Sequence, residues 1–136
     1  MGEKANRKCI GLMELRPNNW YINRVKLDRV RSAWQREEQA SIPPVLVTTI
    51  NGELSLIDGH SRALAAWERG ETCITANMTD LDDIEGSTAL YRHIHHTGPW
   101  LGVETVADLA GRIVEPAEHE RLWIGYCSQW LEANET

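Results

Sequence analysis

The sequence predicts an α/β (α+β) protein with a small mixed sheet and a C-terminal helical extension. Over residues 9–79 the hydrophobic patterns follow the order strand, helix, strand, strand, helix, strand, and such alternation is typical of α/β or α+β folds. From residue 81 onward the pattern is helical. The length of 136 residues suits one compact domain. We therefore expect an α/β domain at residues 9–79 and a helical extension at residues 80–136, packed on the same domain.

The first strand and the first helix follow from an apolar run and a helical repeat. Residues 9–15 are mostly apolar and lead into an Arg-Pro-Asn-Asn sequence, which indicates a strand that enters a turn. Apolar residues then recur three and four positions apart, as on one face of a helix. They are Leu27, Val30 and Trp34. Asn23 precedes this repeat and is expected to cap the helix.

A β-hairpin is the clearest structural signal in the chain. Residues 42–44 read Ile-Pro-Pro and require extended backbone, because a residue before proline is excluded from the helical region. The apolar run at residues 45–50 is followed by Asn51 and Gly52. This dipeptide suits a type I′ turn, in which both positions adopt positive φ. Residues 54–57 are then expected to return as the paired strand.

The remaining elements are predicted from small-residue, strand and helical patterns. Residues 61–69 indicate a helix that ends at Gly70, and residues 73–78 indicate the last strand. Further helices are predicted over residues 82–96, 105–113 and 116–133. Pro116 suits the first position of the last helix.

The charge is divided unevenly along the chain. Residues 1–40 carry nine Lys and Arg against five Asp and Glu, and residues 41–136 carry five against fifteen, for a net charge of −6. Nucleic-acid binding needs a continuous basic footprint, which only one segment offers. Its basic residues are Arg24, Lys26, Arg29, Arg31 and Arg36. The net charge therefore disfavours nucleic acid as a partner, and a DNA-associated regulatory module remains an alternative. A third possibility is an interaction domain whose acidic tail docks a protein.

Three features bear on location. No apolar run approaches the roughly 20 residues that span a bilayer, and the first residues are polar, with no signal core. Cys9, Cys73 and Cys127 are widely spaced and form no Cys-x-x-Cys motif, so we expect reduced thiols and neither a disulfide framework nor a zinc site. A cytoplasmic protein without membrane contact is predicted.

The most specific chemical feature is a strand that runs through a glycine turn into a helix. A helix N-terminus presents unpaired N–H groups and the positive end of the helix dipole, which together favour phosphate. Gly59 lets the backbone approach a ligand closely, and Ser61 offers a hydroxyl donor. His60 offers an imidazole, and Arg62 offers a guanidinium that can bind two phosphate oxygens. The sequence therefore predicts a phosphate-binding loop at these four residues.

Asp58 has two interpretations. It can orient Arg62 or His60, or help to hold Mg²⁺ beside a polyphosphate. Alternatively, Asp58 only caps the helix while Arg62 pairs with a surface carboxylate. Spacing alone leaves both open, because such turns are common in α/β proteins.

The loop before the first helix is expected to bind substrate. Asn19, Trp20 and Tyr21 face the predicted phosphate-binding loop, where an aromatic ring could stack on a base or close over a substrate. A metal site is not expected. His93 and His96 lie one helical turn apart, but no carboxylate is spaced to complete an open catalytic site with them.

Over residues 9–79 the chain resembles the ParB/sulfiredoxin superfamily. The segments that carry the resemblance are Leu15-Arg16-Pro17-Asn18, Ile42-Pro43-Pro44-Val45-Leu46-Val47, the Asn51-Gly52 hairpin and residues 56–70. In that superfamily a Gly-x-x-Arg turn at the start of the second helix binds nucleotide phosphates. The resemblance implies this role for Gly59, His60, Ser61 and Arg62.

The turn distinguishes the branches of that superfamily. Sulfiredoxins use a cysteine where this chain has His60, so sulfinic acid reduction is not expected. ParB partition proteins, which are CTP-dependent DNA clamps, need a helix-turn-helix domain for which too few residues remain. Free serine kinases carry Asp-Gly-His-His-Arg, which is similar to residues 58–62 at four of five positions. The resemblance thus implies phosphotransfer from ATP or ADP, with CTP possible, assisted by Mg²⁺, to a small hydroxylated metabolite.

One departure concerns the catalytic base. Free serine kinases place a glutamate shortly after the first strand, where this chain reads Pro-Asn-Asn-Trp-Tyr without a carboxylate. We expect Glu14 or Asp58 to substitute for it, with His60 as a further candidate catalytic residue. If no group replaces the missing base, the chain is a nucleotide-binding or partition-type module without catalysis.

Overall fold

The computed structural model describes residues 7–35 and 42–135. Of the residues singled out above, Arg36 lies outside these ranges. No helix within them is long and apolar enough to cross a membrane.

Within the described ranges, five strands form one mixed sheet in the order β1-β6-β4-β5-β2. These strands are β1 Arg7–Gly11, β2 Arg16–Pro17, β4 Val45–Ile50, β5 Glu53–Asp58 and β6 Cys73–Met78. The β1–β6 and β4–β5 pairs are antiparallel. The β2–β5 and β4–β6 pairs are parallel. The predicted fold class, α/β with a small mixed sheet, is confirmed. A second, two-stranded parallel sheet joins β3 (Ile22–Asn23) to β7 (Ile113–Val114).

The predicted hairpin is confirmed. β4 spans the predicted residues, and β5 extends the predicted strand by one residue at each end. Asn51 has φ 51° and Gly52 has φ 79°, so both positions are left-handed, as a type I′ turn requires. The turn places the end of β5, where the candidate site begins, beside the start of β4.

Two of the predicted helices lie within residues 9–79. Helix α1 is Arg24–Gln35 and α2 is His60–Glu68. The side-chain oxygen of Asn23 accepts a hydrogen bond from the Val25 N–H at 3.0 Å, which confirms the predicted cap. Gly70 follows α2 with φ 86°, the left-handed conformation expected of a residue that ends a helix.

The helical part after β6 differs from the prediction at two places. The helix predicted over residues 82–96 is wrong at its start, because Gly86 adopts φ 110° and α3 (Thr88–Thr97) begins after Ser87, which caps it. A short 3₁₀ turn, Leu81–Asp83, precedes this break. The predicted helix at 105–113 is a 3₁₀ helix at Val106–Gly111, and the last predicted residue, Ile113, belongs to β7.

The last predicted helix is present and contains a π-helical segment. It runs from α4 (Pro116–His119) through the π-helical Glu120–Ile124 into α5 (Gly125–Glu135). An aromatic cluster packs it against the loop before α1. The cluster consists of Trp20, His93, Trp123, Tyr126 and Trp130.

The prediction of three reduced thiols is wrong. Cys9 on β1 and Cys73 on β6 form a disulfide with a Cα–Cα distance of 5.6 Å. They are 64 residues apart in sequence, and only the pairing of β1 with β6 brings them together. Cys127 is free and partly buried, and burial raises its pKa to about 11. Disulfides persist mainly in oxidising compartments, and the cytoplasmic location stays a prediction.

Candidate anion-binding cleft

The turn between β5 and α2 requires glycine at its centre. Gly59 has φ 104°, and a Cβ atom built on it would lie 2.5 Å from Cγ1 of Val45. Both the positive φ and the close approach exclude a side chain at this position. The tight turn therefore sets the first residues of α2 directly beyond the end of β5.

The N-terminus of α2 presents backbone N–H donors. The first helical hydrogen bond runs from the Ala63 N–H to the Gly59 carbonyl at 2.9 Å. The N–H groups of His60, Ser61 and Arg62 come before it, and no side chain of the described residues caps the helix. Such donors, together with the positive end of the helix dipole, favour an anion.

A cavity of about 410 Å³ lies in front of this helix start. Its walls come from the turn at residues 58–62, from the loop and first turns of α1, and from α4. We call it the anion cleft, and its principal lining residues are Asp58, Gly59, His60, Ser61, Arg62, Asn19, Tyr21, Lys26, Arg29 and His119. The structure thus brings the predicted phosphate-binding loop to a cavity of the size that small-molecule ligands occupy.

Two cations on α1 face the anion cleft. Lys26 and Arg29 lie one helical turn apart, both are exposed, and neither side chain forms an ion pair with any residue in the described ranges. Arg24 and Arg31 on the same helix behave differently. Arg24 bonds Glu115 and Asp28, and Arg31 bonds Glu68 and Asp28. The charges available to a ligand are therefore those of Lys26 and Arg29.

Arg62 lies at the cleft, but other groups occupy its guanidinium. It donates to the Pro43 carbonyl at 2.9 Å and to the Pro44 carbonyl at 2.8 Å. It also pairs with Asp58 at 3.3 Å, and its side chain is only 17% exposed. This arrangement corresponds to the alternative interpretation, in which Arg62 pairs with a carboxylate and supports the turn. The expectation that the Arg62 guanidinium binds two phosphate oxygens is therefore corrected. Only the backbone N–H of Arg62 is available to a ligand in this structure.

The imidazole of His60 is likewise engaged. His60 is 7% exposed, and its Nε2 accepts a hydrogen bond from the Asn18 N–H at 3.0 Å. Burial lowers its pKa to about 4, against smaller opposing effects from Asp58 and from a hydrogen bond to the Leu56 backbone. A neutral imidazole that accepts from Asn18 is a poor phosphate ligand and a poor base. The expectation that the His60 side chain binds phosphate or acts in catalysis is therefore corrected. This side chain links the turn to the loop before α1.

Asp58 and Ser61 remain open to a ligand. The Asp58 side chain is 76% exposed at the cleft and pairs only with Arg62 among the described residues. Ser61 lines the cleft and is partly buried. Mg²⁺ is commonly held by one or two carboxylates together with substrate phosphates, so Asp58 fits the predicted magnesium ion only when a phosphate ligand is present. No group of three or more metal-ligating side chains is found in the described ranges.

The loop expected to bind substrate is divided between the cleft and the core. Asn19 and Tyr21 line the cleft. Trp20 is 3% exposed and packs against Trp123 and Tyr126 with ring centroids at 5.2 Å and 5.1 Å. The expectation that Trp20 contacts substrate is therefore corrected. Trp20 belongs to the aromatic cluster. Burying its large ring there is more favourable than exposing the ring at the cleft.

Glu14 does not line the anion cleft. It belongs to a separate surface depression with Arg16 and Glu53. Its neighbours Leu12 and Leu15 are fully buried, so the 3₁₀ turn between them directs Glu14 to solvent. The expectation that Glu14 replaces the missing base is not met by this geometry, which leaves Asp58 as the carboxylate at the cleft.

Sequence reasoning gave Lys26 and Arg29 no role in this site, and it did not consider His119. Lys26 and Arg29 are three positions apart on the helix that follows the substrate loop. This spacing places both cations on one helix face and could have indicated that they reach the site. His119 had none, because it is 59 positions beyond His60 and reaches the cleft only through the packing of α4.

Comparisons with known proteins bear on the fold. No protein-family model matches the chain, and no curated protein matches it. The crystal structure of protein Atu1540 from Agrobacterium tumefaciens is similar at 20% identity, with a TM-score of 0.46, over 54% of this chain and 38% of that one. The chain therefore spans little more than a third of Atu1540. Sulfiredoxin from Arabidopsis thaliana is similar at 15% identity, with a TM-score of 0.47, over 65% of this chain and 94% of that one. These similarities concern the fold alone.

Proposed function

We propose that the anion cleft binds the phosphate groups of a nucleotide or another phosphorylated small molecule. The observation that carries the proposal is the convergence of two independent features on one cavity. The N-terminus of α2, which no described side chain caps, meets it from one side. Lys26 and Arg29, which form no ion pair with another described residue, meet it from α1.

The electrostatics of the cleft support this proposal. Every other arginine of the turn and of described α1 bonds an acceptor within the protein, whereas Lys26 and Arg29 bond none among the described residues. Charge-assisted hydrogen bonds are about twice as strong as neutral ones. Phosphate groups bound in this cavity would meet donors of both kinds, the two cations of α1 and the N–H groups of residues 60–62.

The finer proposal is phosphotransfer. It rests on the resemblance of residues 58–62 to the turn of free serine kinases, with ATP or ADP as the nucleotide and a small hydroxylated metabolite as the acceptor. Mg²⁺ held by the phosphates would neutralise their charge. In that reaction the N–H groups of α2 would position the phosphates, and Asp58 would lie beside them at the cleft. Tyr21 and Asn19 would contact the remainder of the substrate.

Calorimetric titration of the protein with ATP, ADP and CTP, each with Mg²⁺, tests the proposal. We expect at least one nucleotide to bind, and the Lys26→Ala/Arg29→Ala double variant to weaken that binding about 100-fold, since a hydrogen bond to a charged group contributes about 1.5–3 kcal/mol.

The matched control is Arg31→Ala, on the same helix. It removes the same type of charge from a side chain that is already paired with Glu68 and Asp28. We expect its affinity to change less than threefold, and its stability to fall by no more than about 1 kcal/mol, as for an exposed ion pair. Absence of binding by all three nucleotides, or equal loss in both variants, would remove the basis of the proposal.

A further inference from the structure

His119 brings a second imidazole to the anion cleft, and it comes from outside the α/β domain. It is the last residue of α4 and lines the cavity together with Lys26 and the turn at residues 58–62. Its exposure is intermediate. The imidazole of His60 is already bonded to Asn18, so His119 is the imidazole of the cleft that a ligand can reach.

The position of His119 is fixed by contacts on both sides. The Arg24 guanidinium holds both carboxylate oxygens of Glu115, one of them at 2.9 Å. The Glu115 carbonyl in turn accepts the His119 N–H at 2.8 Å. One residue before Glu115, Val114 pairs with Asn23 in the small parallel sheet. α4 is therefore anchored to the first turn of α1, and His119 is held beside Lys26.

Opposing charges surround the imidazole. Burial and the nearby Lys26 lower the pKa of His119, whereas Glu120 and a hydrogen bond to the Tyr21 backbone raise it, and the lowering effects prevail. Arg29 adds positive charge to the same cleft, and Asp58 adds negative charge. Without a ligand, these surroundings favour the neutral imidazole. A phosphate dianion in the cleft would reverse the balance, because a close opposite charge favours the protonated imidazole.

We infer that His119 is a third cationic contact of the phosphate site, and that it takes up a proton when a terminal phosphate dianion binds. This inference rests on the proposed function. It assigns the cleft to ligands that carry a phosphomonoester or a terminal nucleotide phosphate, in preference to phosphodiesters, which have a single negative charge per phosphate. It also gives the C-terminal helix a part in the site.

The test is calorimetry of Mg²⁺–ADP binding to the full chain and to His119→Gln, in buffers of different ionisation enthalpy. Glutamine keeps a donor for the Tyr21 carbonyl but cannot take up a proton. We expect the affinity of the unmodified protein to rise several-fold more than that of the variant between pH 8 and pH 5.5, because the bound phosphate favours the protonated imidazole. Proton uptake should be larger in the unmodified protein.

A second readout does not depend on the variant. The His119 ring resonances, followed by NMR over the same pH range, should titrate at higher pH with Mg²⁺–ADP than without it. Binding with the same pH dependence in both proteins, or an unchanged His119 titration, would overturn the role of His119 and leave the proposed function standing. Absence of Mg²⁺–ADP binding, together with absence of ATP and CTP binding, would overturn both.

Discussion

Helix α1 carries two rows of cations that differ in their partners. Arg24 and Arg31 lie on one side, and each is bonded to Asp28 and to a carboxylate from a distant segment, Glu115 or Glu68. Lys26 and Arg29 lie on the side of the anion cleft and have no such partner in the described ranges. The first row holds α4 and α2 against α1. The second row is left for a ligand.

The same division recurs at the turn between β5 and α2. The side chains of His60 and Arg62 are bonded within the protein, whereas the N–H groups of residues 60–62 are open. The side chains of His60 and Arg62 thus support the turn, and the N–H groups of residues 60–62 stay available at the cleft that these residues line. Changes to the supporting side chains should cost stability, and changes to the open groups should cost binding.

Gly59 shapes the turn that carries both the bonded side chains and the available N–H groups. Its replacement should therefore have the largest effect on stability and on binding. In Gly59→Ala the new Cβ would lie 2.5 Å from Val45 at φ 104°, so we expect a loss of about 3 kcal/mol or more in the free energy of unfolding. Urea denaturation measures this loss. The cleft would be distorted as well, so phosphate binding should fall with stability.

The control for Gly59 lies at the other end of the same helix. Gly70 also has positive φ, 86°, but a Cβ built on it would have no atom of a non-adjacent described residue within 4 Å. Gly70→Ala should therefore cost only about 1 kcal/mol. Equal losses in the two variants would show that the contact with Val45 contributes nothing.

His60 tests the support of the turn through pH. Its pKa is about 4 in the folded chain, because the imidazole is buried, and about 6.5 when unfolded. Above pH 6.5 the group is neutral in both states. As the pH falls from 6.5 toward 4, only the unfolded chain binds the proton, so stability decreases on the order of 2–3 kcal/mol between pH 7 and pH 4.5.

His60→Gln is the matched variant for this prediction. Glutamine keeps an acceptor for the Asn18 N–H and does not titrate, so the contributions of the other histidines remain. The difference between the urea stabilities of the two proteins should therefore shrink, or reverse, as the pH is lowered. A difference that is constant from pH 7 to pH 4.5 would mean that His60 is accessible to protons in the folded state.

Local sequence signals predicted most of the secondary structure over residues 9–79. The Asn51-Gly52 turn, the Asn23 cap and the Gly70 helix end each depend on residues within a few positions, and each is confirmed. The break before α3 was missed although Gly86 marks it, because the apolar repeat on either side suggested one continuous helix.

The candidate site was only partly predictable, because its composition depends on tertiary contacts. The sequence located the Gly59 turn and its N–H donors. It could not show that the Pro43 and Pro44 carbonyls occupy Arg62, that Trp123 draws Trp20 into the core, or that α4 brings in His119. The disulfide was missed for the same reason, since Cys9 and Cys73 meet only across paired strands.

The central claim is that phosphate meets the N-terminus of α2 and the second cation row of α1. Backbone amide NMR during titration with Mg²⁺–ADP tests it most directly. The account predicts that the largest shifts fall on the amides of His60, Ser61 and Arg62, with smaller shifts near Lys26 and Arg29. Shifts confined to other surfaces, such as the depression around Arg16 and Glu53, or an unchanged spectrum, would contradict it.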